Sequence, residues 1–299
     1  MRALMKAPVA SLILVLVAAG TLVPLSGCSK SPPTEREEAS LQEAAPREQE
    51  QAPQEQEATS PEQEPAPART GAPEAAWEEF SLRLSTSVWA SSELKETHGE
   101  HEVVYAAGNL FDGDHATCWA EGAEGDGMGE SVTFIADKPV DRIGLVNGYA
   151  RDGDIFRKNN RVKAVRVSLI PAFTAPGLVT ENDYYLYFGL VHPVGGDVGI
   201  EDSRELQYVD VPFTGQQQVD LMREAAERFL AEHPPFASAI EQELGLGAYE
   251  ELSESEREEY WHLMRAAFSM YCVRLEIAEV YPGSAYHDTC LSEVEVVFW

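Results

Sequence analysis

Positive charge is what this sequence has least of. Lys and Arg number 22 against 51 Asp and Glu, for a formal net charge of −29 over 299 residues. A surface that negative repels polyphosphates, so nucleic acid is excluded as a partner. Long apolar runs are nearly missing as well; the one that approaches bilayer length is Ala7–Leu25. Between Ser29 and about Ala75, large apolar side chains almost disappear in favour of Glu, Gln, Pro and Ala. Such a stretch cannot bury enough surface to offset its ordering entropy, and a disordered tether is expected there. Enzyme motifs are lacking too: no serine elbow, P-loop, dinucleotide fingerprint or Cys–His dyad occurs. The expectation is a protein that is not an enzyme. Carboxylates are so numerous that a glycosidase pair is not excluded by counting.

The front of the chain reads as an address. Arg2 and Lys6 precede the apolar run, which ends in Leu25-Ser-Gly-Cys28. A basic start, an apolar run and small residues before a cut site make a secretory signal. The Leu-Ser-Gly-Cys ending resembles the lipobox of bacterial lipoproteins. That resemblance implies cleavage after residue 27, lipid on Cys28, and a membrane anchor in the cell envelope. Ser29 carries no acid of the inner-membrane retention type, which favours the outer membrane. The competing reading is an uncleaved membrane helix. Residues 28–76 then form the tether and 77–299 one domain. Cysteine is scarce: beyond Cys28 only Cys118, Cys272 and Cys290 remain. In a compartment that permits disulfides, three thiols allow one bridge and one leftover.

The domain is organised around Asn109–Glu130, which holds five glycines, six carboxylates and Trp119. No helix or strand tolerates that glycine density, so a shaped loop is expected, with Trp119 anchoring it to a core. Strands are expected at Ser131–Ala136, Asp141–Asn147, Arg161–Leu169, Tyr184–Leu190, Leu206–Val211, Cys272–Ile277 and the C-terminal segment. The alternation predicts Val165, Val167 and Leu169 inward with Arg166 and Ser168 outward. In the last strand it predicts Val294, Val296 and Phe298 inward, and Glu293 and Glu295 outward. Between residues of about 215 and 269 the period changes to that of a helix. One helix is expected from Gln216 to about His233, stopped by Pro234-Pro235. A capping box at Ser253-Glu-Ser-Glu256 opens another, with Tyr260, Leu263, Met264, Ala267 and Phe268 on its apolar stripe. Many short strands with Gly and Pro turns predict an all-β antiparallel sandwich carrying a helical insertion.

Four blocks carry a resemblance. They are Asn109-Leu-Phe-Asp-Gly-Asp with Thr117-Cys-Trp-Ala-Glu-Gly; Gly125-Asp-Gly-Met-Gly-Glu130; Asn147-Gly-Tyr-Ala-Arg151 with Asn159-Asn-Arg-Val-Lys163; and the stretch from Val280-Tyr-Pro-Gly through Tyr286-His-Asp to Glu293. Together they resemble the NADase-type glycan-binding domain. That domain is a discoidin-like (F5/8 type C) module first named for the translocation region of a streptococcal NAD glycohydrolase. The likeness covers about Ser91–Leu169 and Cys272–Val297; Pro171–Tyr271 departs from it. It implies a galactose-binding-like jelly roll and no NAD-cleaving chemistry of its own.

The resemblance also implies sites. Related modules place a calcium beside such a loop, so Asp112, Asp114, Thr117 and Glu293 become candidate ligands of a structural Ca²⁺. The EF-hand pattern fails, because Ala116 and Thr117 stand where it wants Asp or Asn and Gly. If Thr117 and Glu293 approach one ion, Cys118 and Cys290 are neighbours, which implies a Cys118–Cys290 disulfide with Cys272 buried and free. A reduced trio is the alternative. Sugar sites need aromatic faces and planar hydrogen-bonding groups, which Asn147, Tyr149, Arg151, Asn159, Asn160, Arg161, Tyr281 and Tyr286 supply. Two uses of these residues stay open: a glycan or envelope-component site, and plain scaffold. The helical insertion offers a further alternative, an assembly lipoprotein docking a protein partner. His98-Gly-Glu-His101 is read as a solvated loop, and a zinc contact between His115 and His287 has no support.

Overall fold

In the computed structural model, residues 75–299 are described, apart from 100, 183, 194 and 195. The expected signal segment, Cys28 and all but the last two residues of the expected tether lie outside the described residues; Ala76, placed in that tether, opens the first strand. Among the described residues no helix is long and apolar enough to cross a membrane.

The spine of the fold is the strand Asn160–Phe173. It pairs antiparallel with Ser269–Tyr281 from Ser269↔Phe173 to Tyr281↔Arg161. At its start it runs parallel to Thr289–Phe298 for two pairs, Thr289↔Asn160 and Cys290↔Arg161. Outward on one side follow Ser131–Ala136 and then Val88–Ala90. Outward on the other follow Val140–Asn147 and then Gln207–Asp210. A second ribbon, Ala76–Leu82 on Tyr185–Pro193, joins the spine through the latter strand. Strand occupies 39% against 26% helix, so the expected β class with its helical insertion is the class adopted.

Alternation places the core as expected along the spine: Val165, Val167 and Leu169 are all at most 2% exposed. Ser168, expected outward, is buried as well. Its neighbour across the ladder is Pro193, and the second ribbon covers that face. Phe80, Trp89 and Tyr187 complete the covering, with ring centroids 5.4 and 5.9 Å from Phe80. The last strand departs further. Phe298 is 45% exposed and Glu293 only 5%. Val294 is still buried and Glu295 exposed as expected; Glu293 is covered by the Gly113 turn, and a register shift between Val297 and Phe298 turns the last ring outward. An irregularity of this kind inverts facing, because side-chain period is two.

Three long helices make the insertion: Gly215–Glu232, Pro234–Leu244 and Glu254–Phe268. Pro234-Pro235 ends the first and also opens the second, since proline's missing N–H costs nothing in a first turn. The Ser253 box forms, its amide donating to Glu256 Oε2 at 2.9 Å. Tyr260 and Met264 are buried as the stripe predicts, but Leu263 is 40% exposed and Trp261 is buried. Phe229 is wholly buried among the rings of Trp77, Phe173, Phe188 and Phe236, at 5.3–6.2 Å. Burying a ring of this size contributes about 1.5–3 kcal/mol. The insertion thus shares the core of the sandwich.

Candidate functional site

The site sits where the glycine-rich loop meets the last strand. Cys290↔Ala120 and Leu291↔Trp119 pair directly. Trp119 is 1% exposed, and its indole N–H donates to Ser92 O at 3.0 Å, so it anchors the loop as expected. Gly113, at φ 74°, turns the chain so that its amide donates to Glu293 Oε2 at 3.1 Å. The glycine-rich loop and the tail carboxylate therefore share one rim.

What they form there is a pair of carboxylates. Asp112 Oδ1 accepts from the Asp114 amide and Oδ2 from Thr117 Oγ1, both at 2.8 Å. Asp114 turns to its own loop and accepts from the Ala116 amide at 2.9 Å. Burial, then the charge of Asp112, push the Glu293 carboxyl above its ordinary range. Among the described residues no group of three or more His, Cys, Asp and Glu is arranged to hold a metal. Asp112, Thr117 and Glu293 are thus the converging part of the expected calcium set, and Asp114 diverges.

Cys118 and Cys290 share a small buried cluster with Ala120. They are free thiols in hydrogen-bond contact, and the expected bridge is absent. That contact with Cys118 is the largest cause lifting the Cys290 thiol well above its ordinary value. Cys272 is buried and free, and burial pushes its thiol up to about 12.

The eight expected ligand residues divide. Asn147 is fully buried and its amide is saturated. Nδ2 donates to Val162 O and Glu201 O, while Oδ1 accepts from the amides of Gly148 and Val162. Asn159 donates to Ile155 O and closes the short helix Gly153–Lys158. Asn160 ties three loops, donating to Asp126 Oδ1 and His287 O and accepting from the Gly283 amide. Arg161 is buried, forked onto Asp202 at 2.8 and 3.0 Å, with its remaining nitrogen on Asn159 O and Pro282 O. Their place among ligand contacts is corrected: these four hold the loops together. Tyr281 belongs with them, donating to Ile200 O at 3.1 Å. Tyr286 is 49% exposed beyond the cluster.

Tyr149 and Arg151 remain, and they have company. The Arg151 guanidinium lies 4.9 Å over the Tyr149 ring and donates to its hydroxyl at 3.3 Å. Tyr105 meets the same ring edge-on at 6.1 Å and donates to Glu96 Oε2 at 3.0 Å. Burial and then the Glu96 charge raise the Asp288 carboxyl. Burial likewise raises both phenols, so they stay protonated donors. Tyr105 and Glu96 were not anticipated. They stand in and beside the hairpin Lys95–His98 with His101–Val104, whose four-residue strands show no clean alternation. The turn of that hairpin pairs His98 with His101, so the segment read as a loop is a ribbon. His287 Nδ1 meets Asp126 at 2.9 Å instead of reaching toward His115.

Comparison with known proteins agrees with this picture over part of the chain. A family model described as the NAD glycohydrolase translocation F5/8 type C domain matches residues 80–174. The blocks near the C-terminus lie outside that match but are paired directly to it in the sheet. No curated protein matches. A solved structure of the arabinofuranosyltransferase AftD from Mycobacteria is similar at 10% identity and a TM-score of 0.32. It covers 77% of this chain, which spans only 12% of that one, and it carries no argument.

Proposed function

We propose, from the F5/8 type C domain at residues 80–174 as the premise, that this is a non-catalytic carbohydrate-binding module displayed on the cell envelope by a lipid anchor at Cys28. The observation that carries the reading is the Tyr149 ring, flanked by Tyr105 and Arg151 with Glu96 bonded to Tyr105. A pyranose offers C–H patches and equatorial hydroxyls, and this rim supplies an aromatic pair, a planar donor and an acceptor. A glycan array with the full chain tests it. Tyr149→Ala and Arg151→Ala should each abolish any hit while leaving the melting temperature within a few degrees; unchanged binding removes the rim from the site. Metabolic labelling with a fatty-acid analogue, lost on Cys28→Ala, tests the anchor.

Two further features of this reading concern the same rim. A Ca²⁺ would be held by Asp112 and Glu293 with the Thr117 hydroxyl, and it would relieve the repulsion that raises Glu293. In an oxidising compartment the touching Cys118 and Cys290 thiols would close into a bridge. Melting with chelator and with added Ca²⁺ reads the first, since a ligand of the folded state alone raises stability. Mass spectrometry of protein exported to the envelope reads the second.

A further inference from the structure

A cavity lies away from this rim, where the helical insertion meets the sheet. It encloses about 330 Å³, within the range of small-molecule sites. Its walls are Leu82, Ile135, Tyr187, Met222, Trp261 and Met270. Its two buried polar residues are already occupied with each other: the Tyr271 hydroxyl donates to Gln218 Oε1 at 3.0 Å. Gln218 Nε2 donates to Val140 O and Phe213 O, and Oε1 also accepts from the Val140 amide. The interior thus has nothing to offer the hydroxyls of a sugar, and it suits a hydrocarbon.

The rim is the opposite in character. Arg83, Lys138 and Arg265 all line it, with Asp137 the single acid. None of the three is ion-paired among the described residues; Arg83 lies over the Tyr184 ring at 4.9 Å. In a chain of net charge −29, cations elsewhere are commonly matched, as Arg161 is by Asp202, Arg166 by Glu276 and Arg274 by Glu78. Three unmatched cations around one apolar opening are a local excess of positive charge that the fold itself does not use.

From the apolar interior and the cationic mouth together we infer that this cavity binds a single-chain fatty acid, its tail between the insertion and the sheet and its carboxylate at Arg83, Lys138 and Arg265. The inference is independent of the carbohydrate reading, because it shares no residue with the Tyr149 rim.

Displacement of a fluorescent probe from the full chain, below micelle-forming concentrations, tests it with dodecanoate, tetradecanoate, hexadecanoate and hexadecanol. Each two-carbon extension should tighten binding about tenfold until the cavity is full, from the transfer free energy of two methylenes. Hexadecanol, matched in length but uncharged, should bind at least tenfold more weakly than hexadecanoate. Lys138→Glu with Arg265→Glu, both on exposed positions, should remove that preference with the fold retained by circular dichroism. Val219→Trp, filling the cavity from the first helix of the insertion, should abolish binding of every chain length. Equal binding of acid and alcohol, no dependence on chain length, or binding unaffected by both variants would overturn the inference.

Discussion

The loop rim and the insertion cavity of this molecule treat polar groups in opposite ways. At the loop rim, buried amides and guanidinium groups are numerous, and each is spent on the backbone of a neighbouring loop: Asn147, Asn160 and Arg161 leave almost nothing unbonded. In the insertion cavity, Gln218 and Tyr271 bond each other and the neighbouring backbone, and most of the remaining wall is apolar. The difference follows from what each place is built of. Irregular loops bring unpaired carbonyls and amides that must be satisfied when buried, whereas helices and strands have already paired theirs. Richness in hydrogen-bonding side chains therefore marks loop scaffolding here, and the proposed carbohydrate contacts rest on the half-buried Tyr149 and the exposed Arg151 beside it.

That contrast can be broken in order of expected effect. Asn147→Ala should be the most damaging, costing about 4 kcal/mol by stranding two amides and two carbonyls in the core. The melting temperature should fall by roughly 8–16 °C. Arg161→Ala should follow at about 3 kcal/mol, since it strips Asp202 of its partner, which is itself partly exposed and screened. If either variant melts like the parent, the loop amides are not the scaffold. Gln218→Ala strands as many groups, the Val140 amide and carbonyl, the Phe213 carbonyl and the Tyr271 hydroxyl, but it lines the open cavity where water replaces it, so it should cost less, about 2 kcal/mol. Equal losses for Gln218→Ala and Asn147→Ala would erase the distinction between the two regions.

The smallest effect should come from Glu293→Gln. The raised carboxyl binds its proton more tightly when folded, so in chelator it lowers stability as pH rises from the unfolded value through the folded one. Glutamine keeps an oxygen for the Gly113 amide and removes that titration. In chelator the variant should be more stable than the parent at pH 7, by under about 1 kcal/mol, and equal to it at pH 3. Denaturant melts at the two pH values check the sign. With Ca²⁺ present the order should reverse.

Much of this was legible in the residues, and the failures have physical reasons. Val165, Val167 and Leu169 announced the spine because period-two burial is a local pattern. Ser168 did not, because its burial depends on a ribbon whose two strands, Ala76–Leu82 and Tyr185–Pro193, lie far before and after it in the chain. The capping box at Ser253 was readable, since a cap is a contact over three residues. Asn147, Asn160 and Arg161 were picked for the right chemistry and given the wrong direction: sequence shows hydrogen-bonding capacity, and only packing shows which way it is turned. Gly283 illustrates the cost of that blindness. Its amide feeds Asn160 Oδ1, and a Cβ there would sit 2.4 Å from the Lys158 carbonyl oxygen. The turn was visible in Tyr-Pro-Gly; the backbone it presses against was not.

The strand Ala76–Leu82 has a mechanical meaning. It is the first element of the described residues, and it carries Trp77 into the Phe229 ring cluster. Its Glu78 is clasped by both terminal nitrogens of Arg274, 196 residues away. The strand at the start of the described domain is thus fastened to the far end of the chain by an ion pair and to the helical insertion by a ring contact, so loosening either should cost the whole fold and not only its edge.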